Sequence, residues 1–400
     1  MANNHSNTAD NAKSLVFQPV NEPQGDVLVN IFLRGGMDGL FLVPPHADPH
    51  YQTQRGVMGL SGPGQRDGIV DLDGFFGLHP QLVYLTELFQ DKKLAIVHAC
   101  GGADKTLSHF EAQRSIEHGF DNAHSLSSGW LARYLLAEQR ANDTPLRAVA
   151  IAKTMPEALM GTSRAVAFSS IREFKLEVPP AWQNGFVSTL NHLYSPEGDS
   201  VCQSGNQMLV LLKSLRSLQA SDYVPTRGVR YPASDFARDL AQVAQLIKAE
   251  IGLEIATIDL HGWDTHIEQV EGLSMLVKTL GRALNAFAQD LEKRFERVTV
   301  VVMTEFGRRV IPNSALGTDH GRGTAMFVLG GGIAGGKVYG KWPGIGNDQL
   351  DSTGNLLVTT DLRSVFSEIL DQRMRCQHLS DVFPGFAPQY LNLAAKPSSV

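Results

Sequence analysis

The chain is short of three things: clustered basic charge, cysteine and long apolar runs. Thirty-five Lys and Arg stand against 41 Asp and Glu, for a formal net charge of −6. No basic stripe is present to neutralise phosphates, so nucleic acid is not an expected partner. Its three cysteines, Cys100, Cys202 and Cys376, are odd in number and far apart. They suggest neither a disulfide framework nor a thiolate metal cluster, and they read as small buried hydrophobes. No apolar stretch reaches the roughly 18 to 20 residues that span a bilayer, so the chain reads as soluble. The first 25 residues are polar and lack both an apolar segment and a twin arginine, so no signal peptide is read there. The expectation is a cytoplasmic protein for the sequence as given, and a periplasmic or exported one where a leader has been removed.

What is there is enough to build a large core. The 400 residues are 43% hydrophobic and 19% charged with no compositional break, which favours one large domain. Short β-branched or apolar runs recur at 27–33, 94–99, 147–152, 254–260, 298–304 and 325–330. Such continuous runs suit strands covered on both faces. Helical periodicity fills 80–93, 109–119, 234–250 and 268–295 between them. The alternation predicts an α/β fold, a mostly parallel central sheet sandwiched between helical layers. Its chemistry is expected at the carboxyl ends of the strands. Prolines at 156, 179, 180, 196 and 225 mark 153–233 as an irregular insertion or cap. Residues 1–25 read as disordered or extended, 26–384 as the single domain, and 385–400 as a C-terminal extension.

Ligand-type residues follow the strands. After the first, "RGGMDGLF" places Asp38 in a glycine-flanked turn as a candidate carboxylate ligand; an aspartate in such a turn also bonds its own backbone. After the second, "CGGADKTLSHFEAQ" offers Thr106 and Ser108 as hydroxyl nucleophiles. Ser108 also fits an S-x-x-E capping box with Glu111, and a helix start favours attack on an anionic ester. His109 follows as a ligand or an orienting group. The densest stretch is "DLHGWDTHIEQ" (259–269), with Asp264 and His266 as the preferred metal pair and Asp259 and His261 orienting them through hydrogen bonds. Then "TEFGRR" gives Glu305 as a metal ligand and Arg308 as an anion clamp. Finally "GTDHGRG" gives Asp319 and His320 as ligands, with Arg322 beside them. Mixed carboxylate and imidazole suit one or two divalent ions, zinc, manganese or magnesium. The glycine-rich "GGGIAGGKVYGKWPG" is followed by turns instead of a helix, so it is no dinucleotide fingerprint.

Ten segments in order, "FLRGGMDGL", "FFGLHPQL", "LAIVHACG", "SHFEAQRSIE", "GWLARYL", "GWDTH", "TEFGRRV", "GTDHGRG", "VYGKWPG" and "TTDLR", make the chain resemble the domain-of-unknown-function family 1501. That family is similar to the alkaline phosphatase and sulfatase superfamily. The resemblance implies an alkaline-phosphatase-like fold and a metal-dependent hydrolase of phosphate or sulfate esters acting on a small anionic substrate. It implies Asp38, Asp264, His266, Glu305, Asp319 and His320 around the metal, and Ser108 or Thr106 as nucleophile. Phe306 stands where the superfamily has a ligating histidine. That departure supports a second reading, a non-catalytic metal-binding scaffold or partner protein. A third is a phosphomutase-like isomerase, with Arg164, Arg172 and Lys175 supplying a second phosphate pocket.

Overall fold

The computed structural model describes residues 26–120, 127–138, 146–194, 199–219 and 222–396; residues 1–25 and 397–400 lie outside it. Among the described residues eleven strands run in chain order: β1 Val27–Arg34, β2 Val70–Asp71, β3 Gly77–Leu78, β4 Leu94–Gly101, β5 Ala148–Ile151, β6 Ala165–Phe168, β7 Ile255–His261, β8 Val298–Met303, β9 Thr324–Gly330, β10 Lys337–Tyr339 and β11 Thr360–Asp361. The α-helices are α1 Gly39–Leu42, α2 Tyr51–Arg55, α3 Thr86–Gln90, α4 His109–His118, α5 Trp130–Ala137, α6 Gln183–Leu193, α7 Ser200–Gln219, α8 Asp235–Lys248, α9 Gln269–Leu291, α10 Leu362–Gln372 and α11 Leu379–Val382.

Nine strands form one sheet in the order β10-β4-β9-β8-β1-β7-β5-β6, with β11 pairing β4, and β2 and β3 form a separate pair. The sheet is mixed: β9 runs antiparallel to β4 and β8, and the other pairings are parallel. A parallel crossover needs a dozen or more residues, usually a helix, whereas the chain from β8 to β9 is irregular and returns directly.

Strand β1 shows why the sheet is central. Val29, Ile31 and Leu33 join a core with Leu240, Val243, Leu273 and Leu284 of α8 and α9. Leu28 and Phe32 join a second core with Trp130 of α5 and Phe366 of α10. Alternate side chains thus enter opposite layers, as a period of two requires, and each buried aliphatic contributes about 1.5–3 kcal/mol. Trp130 stacks on Phe366 with ring centroids 4.6 Å apart.

Two local expectations differ in detail. The helical pattern at 80–93 becomes a 3-10 turn, Pro80–Leu85, running into α3; Pro80 occupies its first turn and His79 Nδ1 accepts from the Gln81 amide at 3.1 Å. The proline-bearing stretch 153–233, expected to be irregular, carries β6, α6 and α7. Pro156, Pro179, Pro180 and Pro225 lie outside β6, α6 and α7, where a missing N–H costs nothing, and Pro196 lies outside the described residues. The three cysteines are reduced, with Cys100 and Cys376 buried. No described helix is long and apolar enough to cross a membrane.

Candidate metal centre

The ends of β1, β4, β7 and β8 and the start of the antiparallel β9 meet at one rim of the sheet. Gly35 follows β1 with φ +124°, and a Cβ there would lie 2.5 Å from the Asp264 nitrogen. Only glycine lets the two loops lie this close.

Three histidines and one carboxylate converge here. His266 Nε2 lies 3.0 Å from His320 Nε2 and 3.0 Å from Asp264 Oδ1. His320 Nε2 is 3.2 Å from Asp264 Oδ1, and His109 Nε2 is 3.4 Å from Asp264 Oδ2. His109, Asp264 and His320 offer ligand atoms all within 4.8 Å of one another, a group that could hold a metal ion.

The other ring nitrogens decide the tautomers. His109 Nδ1 faces Glu305 Oε1 at 2.8 Å, His266 Nδ1 faces Asp319 Oδ1 at 3.3 Å and His320 Nδ1 faces the Leu107 carbonyl at 2.8 Å. Carboxylates and carbonyls only accept, so each Nδ1 carries a proton, and each Nε2 is the ring atom left facing Asp264. His109 Nε2 is buried with no hydrogen-bond partner. The His266 and His320 Nε2 atoms, 3.0 Å apart beside the Asp264 carboxylate, need a proton or a cation among them. Partial burial would raise Asp264, but hydrogen bonding and charge from Arg308, with His320 and His109, hold its carboxyl at about 2. Burial pushes His320 below the ordinary imidazole value, which favours the neutral ring.

Glu305 and Asp319 therefore stand behind histidines instead of lining the centre. Glu305 Oε1 also accepts from the Gly35 amide at 2.9 Å and Gln113 at 2.8 Å, while Thr304 donates to Oε2 at 2.8 Å. Burial pushes its pKa up, and these donors outweigh that, leaving Glu305 below the ordinary range. Hydrogen bonding from Asn313 likewise lowers Asp319.

Asp38 does not join the centre. It is 1% exposed; Oδ1 accepts from the Leu40 and Phe41 amides at 3.0 and 3.2 Å, and Oδ2 from Arg55 at 2.5 Å and Gln269 at 2.7 Å. Gln269 in turn accepts from Thr265 and Thr318, so Asp38 supports the loops from beneath. Arg308, expected to clamp substrate, is 1% exposed and donates to the carbonyls of Gly35, Gly36, Trp263 and Thr318 and to Asp264. With its fork committed, it is a strut that fixes Asp264. Arg322 has no ion pair among the described residues, and its buried Nε lacks a partner.

Asp259 and His261 do not orient the ligands. Asp259 pairs with Arg34 at 3.0 Å, and His261 is exposed at the end of β7. Ser108 occupies the N-cap position of α4 as expected, but its side chain makes no capping bond. Thr106 is exposed and donates to Asp104 at 2.9 Å. Of the residues expected at a second phosphate pocket, Arg164 bonds the Leu135 carbonyl and Arg172 pairs with exposed Asp222. His109 is the ligand-type residue the sequence underrated; its signal was an imidazole at a helix start after a strand.

The model of a family described as "Protein of unknown function (DUF1501)" matches residues 216–383. The PsFucS1 sulfatase from Pseudoalteromonas sp. is a similar solved structure at 10% identity, covering 87% of this chain and 67% of that one with a TM-score of 0.37. The PH0037 protein from Pyrococcus horikoshii is another, at 13% identity, 77% and 86% coverage and a TM-score of 0.30. No curated protein matches the chain.

Proposed function

We propose that this chain is a hydrolase of small anionic esters, phosphate or sulfate, built on an alkaline-phosphatase-like α/β fold around one divalent ion. The ion would be held by His109, His266, His320 and Asp264. The supporting observation is the set of three Nε2 atoms turned toward one carboxylate, each ring fixed from behind by an acceptor. His109, Asp264 and His320 offer ligand atoms within 4.8 Å of one another, and His266 Nε2 lies 3.0 Å from His320 Nε2 and from Asp264 Oδ1, close enough to serve as a fourth. One ion fits the donor set, because Asp38 is committed to Arg55 and the Phe306 ring packs 4.9 and 4.8 Å from His109 and His320.

A bound zinc or manganese ion would supply Lewis acidity for polarising an ester oxygen. The chain's own residues supply the rest. Asp264 and His266 have side chains 48% and 41% exposed, so the centre opens to solvent on one side. The Ser108 hydroxyl, free of capping and next to His109 at a helix start, is the nucleophile in this reading. Arg322 carries the uncommitted charge that would face the substrate's oxygens. The test is turnover of aryl phosphate and aryl sulfate esters by purified protein before and after EDTA. Activity lost on chelation, restored by metal and absent in Ser108→Ala supports the proposal; activity indifferent to both overturns it.

Four protein ligands also describe a closed, structural ion site, which favours the non-catalytic scaffold as the second reading. A bound ion without turnover of any ester would select it.

A further inference from the structure

The stretch that carries β6, α6 and α7 also encloses a cavity of about 220 Å³, and none of its lining residues belongs to the candidate centre. Two helices present one stripe each to it. Gln183, Phe186 and Val187 of α6 stand at i, i+3 and i+4, and Leu212, Arg216 and Gln219 of α7 at i, i+4 and i+7. Phe174 and Leu176 close a third side. The walls are tied together: Gln219 donates to the Ile171 and Phe174 carbonyls, both at 2.7 Å, and Gln183 to the Val178 carbonyl at 3.3 Å. Leu211 and Leu215, on the other side of α7, are buried in the core that includes Val29 and Ile31 of β1. The helix is anchored from behind, and the space in front of it stays open.

Its chemistry is amphipathic. Apolar side chains make most of the wall, the Phe186 side being 43% exposed, while Lys175 and Arg216 bring two cations. Neither makes an ion pair among the described residues, and no carboxylate lines the cavity. Arg164 and Arg172, which the sequence grouped with Lys175, are engaged elsewhere, on the Leu135 carbonyl and on Asp222. Two uncompensated cations beside apolar walls lack an anion with an apolar body. An apolar cavity of about 150 Å³ accepts a benzene ring, so this one has room for a ring with a short linker to a carboxylate. From this we infer that the cavity is a binding site for a small amphipathic carboxylate, its charge taken by Lys175 and Arg216 and its body by Phe186 and Leu212. The site is separate from the proposed ion centre and stands without it.

The experiment is a ligand-observed NMR titration of the full chain with 3-phenylpropionate, 3-phenylpropanamide and acetate, in wild type, in the double variant Lys175→Gln/Arg216→Gln and in Leu212→Trp. 3-Phenylpropionate is expected to bind wild type with a Kd of about 1 mM or tighter, as a ligand of its size can reach. The amide, without the charge, and acetate, without the body, should each bind about tenfold more weakly. Lys175 and Arg216 are exposed, so their replacement leaves the fold intact, and the double variant should bind the acid no better than the amide. Leu212→Trp fills the space and should weaken acid and amide alike. Absence of binding to wild type, equal affinity for acid and amide, or binding of the acid untouched in the double variant overturns the inference. The last of these would place the carboxylate elsewhere on the chain, the ion centre included.

Discussion

Replacing Glu305 by Gln separates the charge behind His109 from its shape. Glu305 is buried, and Oε1 accepts from Gly35 N, His109 Nδ1 and Gln113 Nε2 at 2.8–2.9 Å. An amide oxygen can take over these three bonds, and the amide nitrogen can donate to Thr304 Oγ1 once that hydroxyl turns its one proton from Oε2 to the Leu33 carbonyl 2.7 Å away. The geometry survives, and three charge-assisted bonds become neutral ones. A bond to a charged group is worth about 1.5–3 kcal/mol and a neutral one about 1, so metal-free Glu305→Gln should lose about 2 kcal/mol in urea unfolding. Removing the carboxylate behind a metal-bound imidazole costs about 10- to 100-fold in metal affinity, which is about 1.4–2.7 kcal/mol. Competition with a chromophoric zinc chelator reads that directly. Glu305→Ala strands three donors and should cost more than about 4 kcal/mol of stability. Zinc affinity within about threefold of wild type in Glu305→Gln, beside the expected loss of stability, would refute the account: Glu305 would then be only a structural anion.

Ser108→Ala should leave urea stability within about 0.5 kcal/mol of wild type, because no capping bond is lost; a loss near 1 kcal/mol would mean the hydroxyl caps α4 after all. Arg308→Lys keeps the charge but not the fork that holds five acceptors, and should cost about 3 kcal/mol or more in the same assay. Trp130→Ala removes a fully buried ring between Phe366 and Phe383 and should cost about 3–5 kcal/mol with the ion stoichiometry of the folded protein unchanged. Asp290, whose partners are Lys248, Tyr223, Thr226 and Tyr231 instead of residues of the centre, tests pH dependence. Burial raises it, but Lys248, Tyr223, Thr226 and Tyr231 hold it below the ordinary range. Its contribution is present above the unfolded value of about 3.9 and is lost as pH falls through the lower folded value. The acid limb of a stability–pH curve should therefore flatten in Asp290→Asn.

The strands were legible because a buried sheet leaves runs such as "VLVNIFL" and "VTVVVM", and both are strands here. Direction was not legible from composition. The reversal of β9 had one sequence signal, the lack of any helical pattern between 304 and 323, and only that. At the centre, Asp264, His266 and His320 stood out because carboxylate and imidazole recur together in two loops, and the fold brings His266 and His320 to 3.0 Å. Spacing could not show which member of the His109–Glu305 pair faces inward, since the two are 196 positions apart and only the fold brings them to 2.8 Å. Asp38 was misread for a similar reason. Its local bonds to Leu40 and Phe41 were foreseeable, but Arg55 and Gln269, which saturate it, arrive from other elements. Arg308 illustrates the remaining gap: an arginine at a strand end reads as an anion clamp until the carbonyls around it are known.

The central claim is that one divalent ion sits among three imidazoles and Asp264. The direct measurement is anomalous scattering at the zinc and manganese edges from crystals of the metal-loaded protein. The account predicts a single peak about 2.0–2.2 Å from Nε2 of His109, His266 and His320 and from an Asp264 oxygen. A peak at Asp38, a second ion beside it, or histidines turned away from an ion-free Asp264 would contradict it.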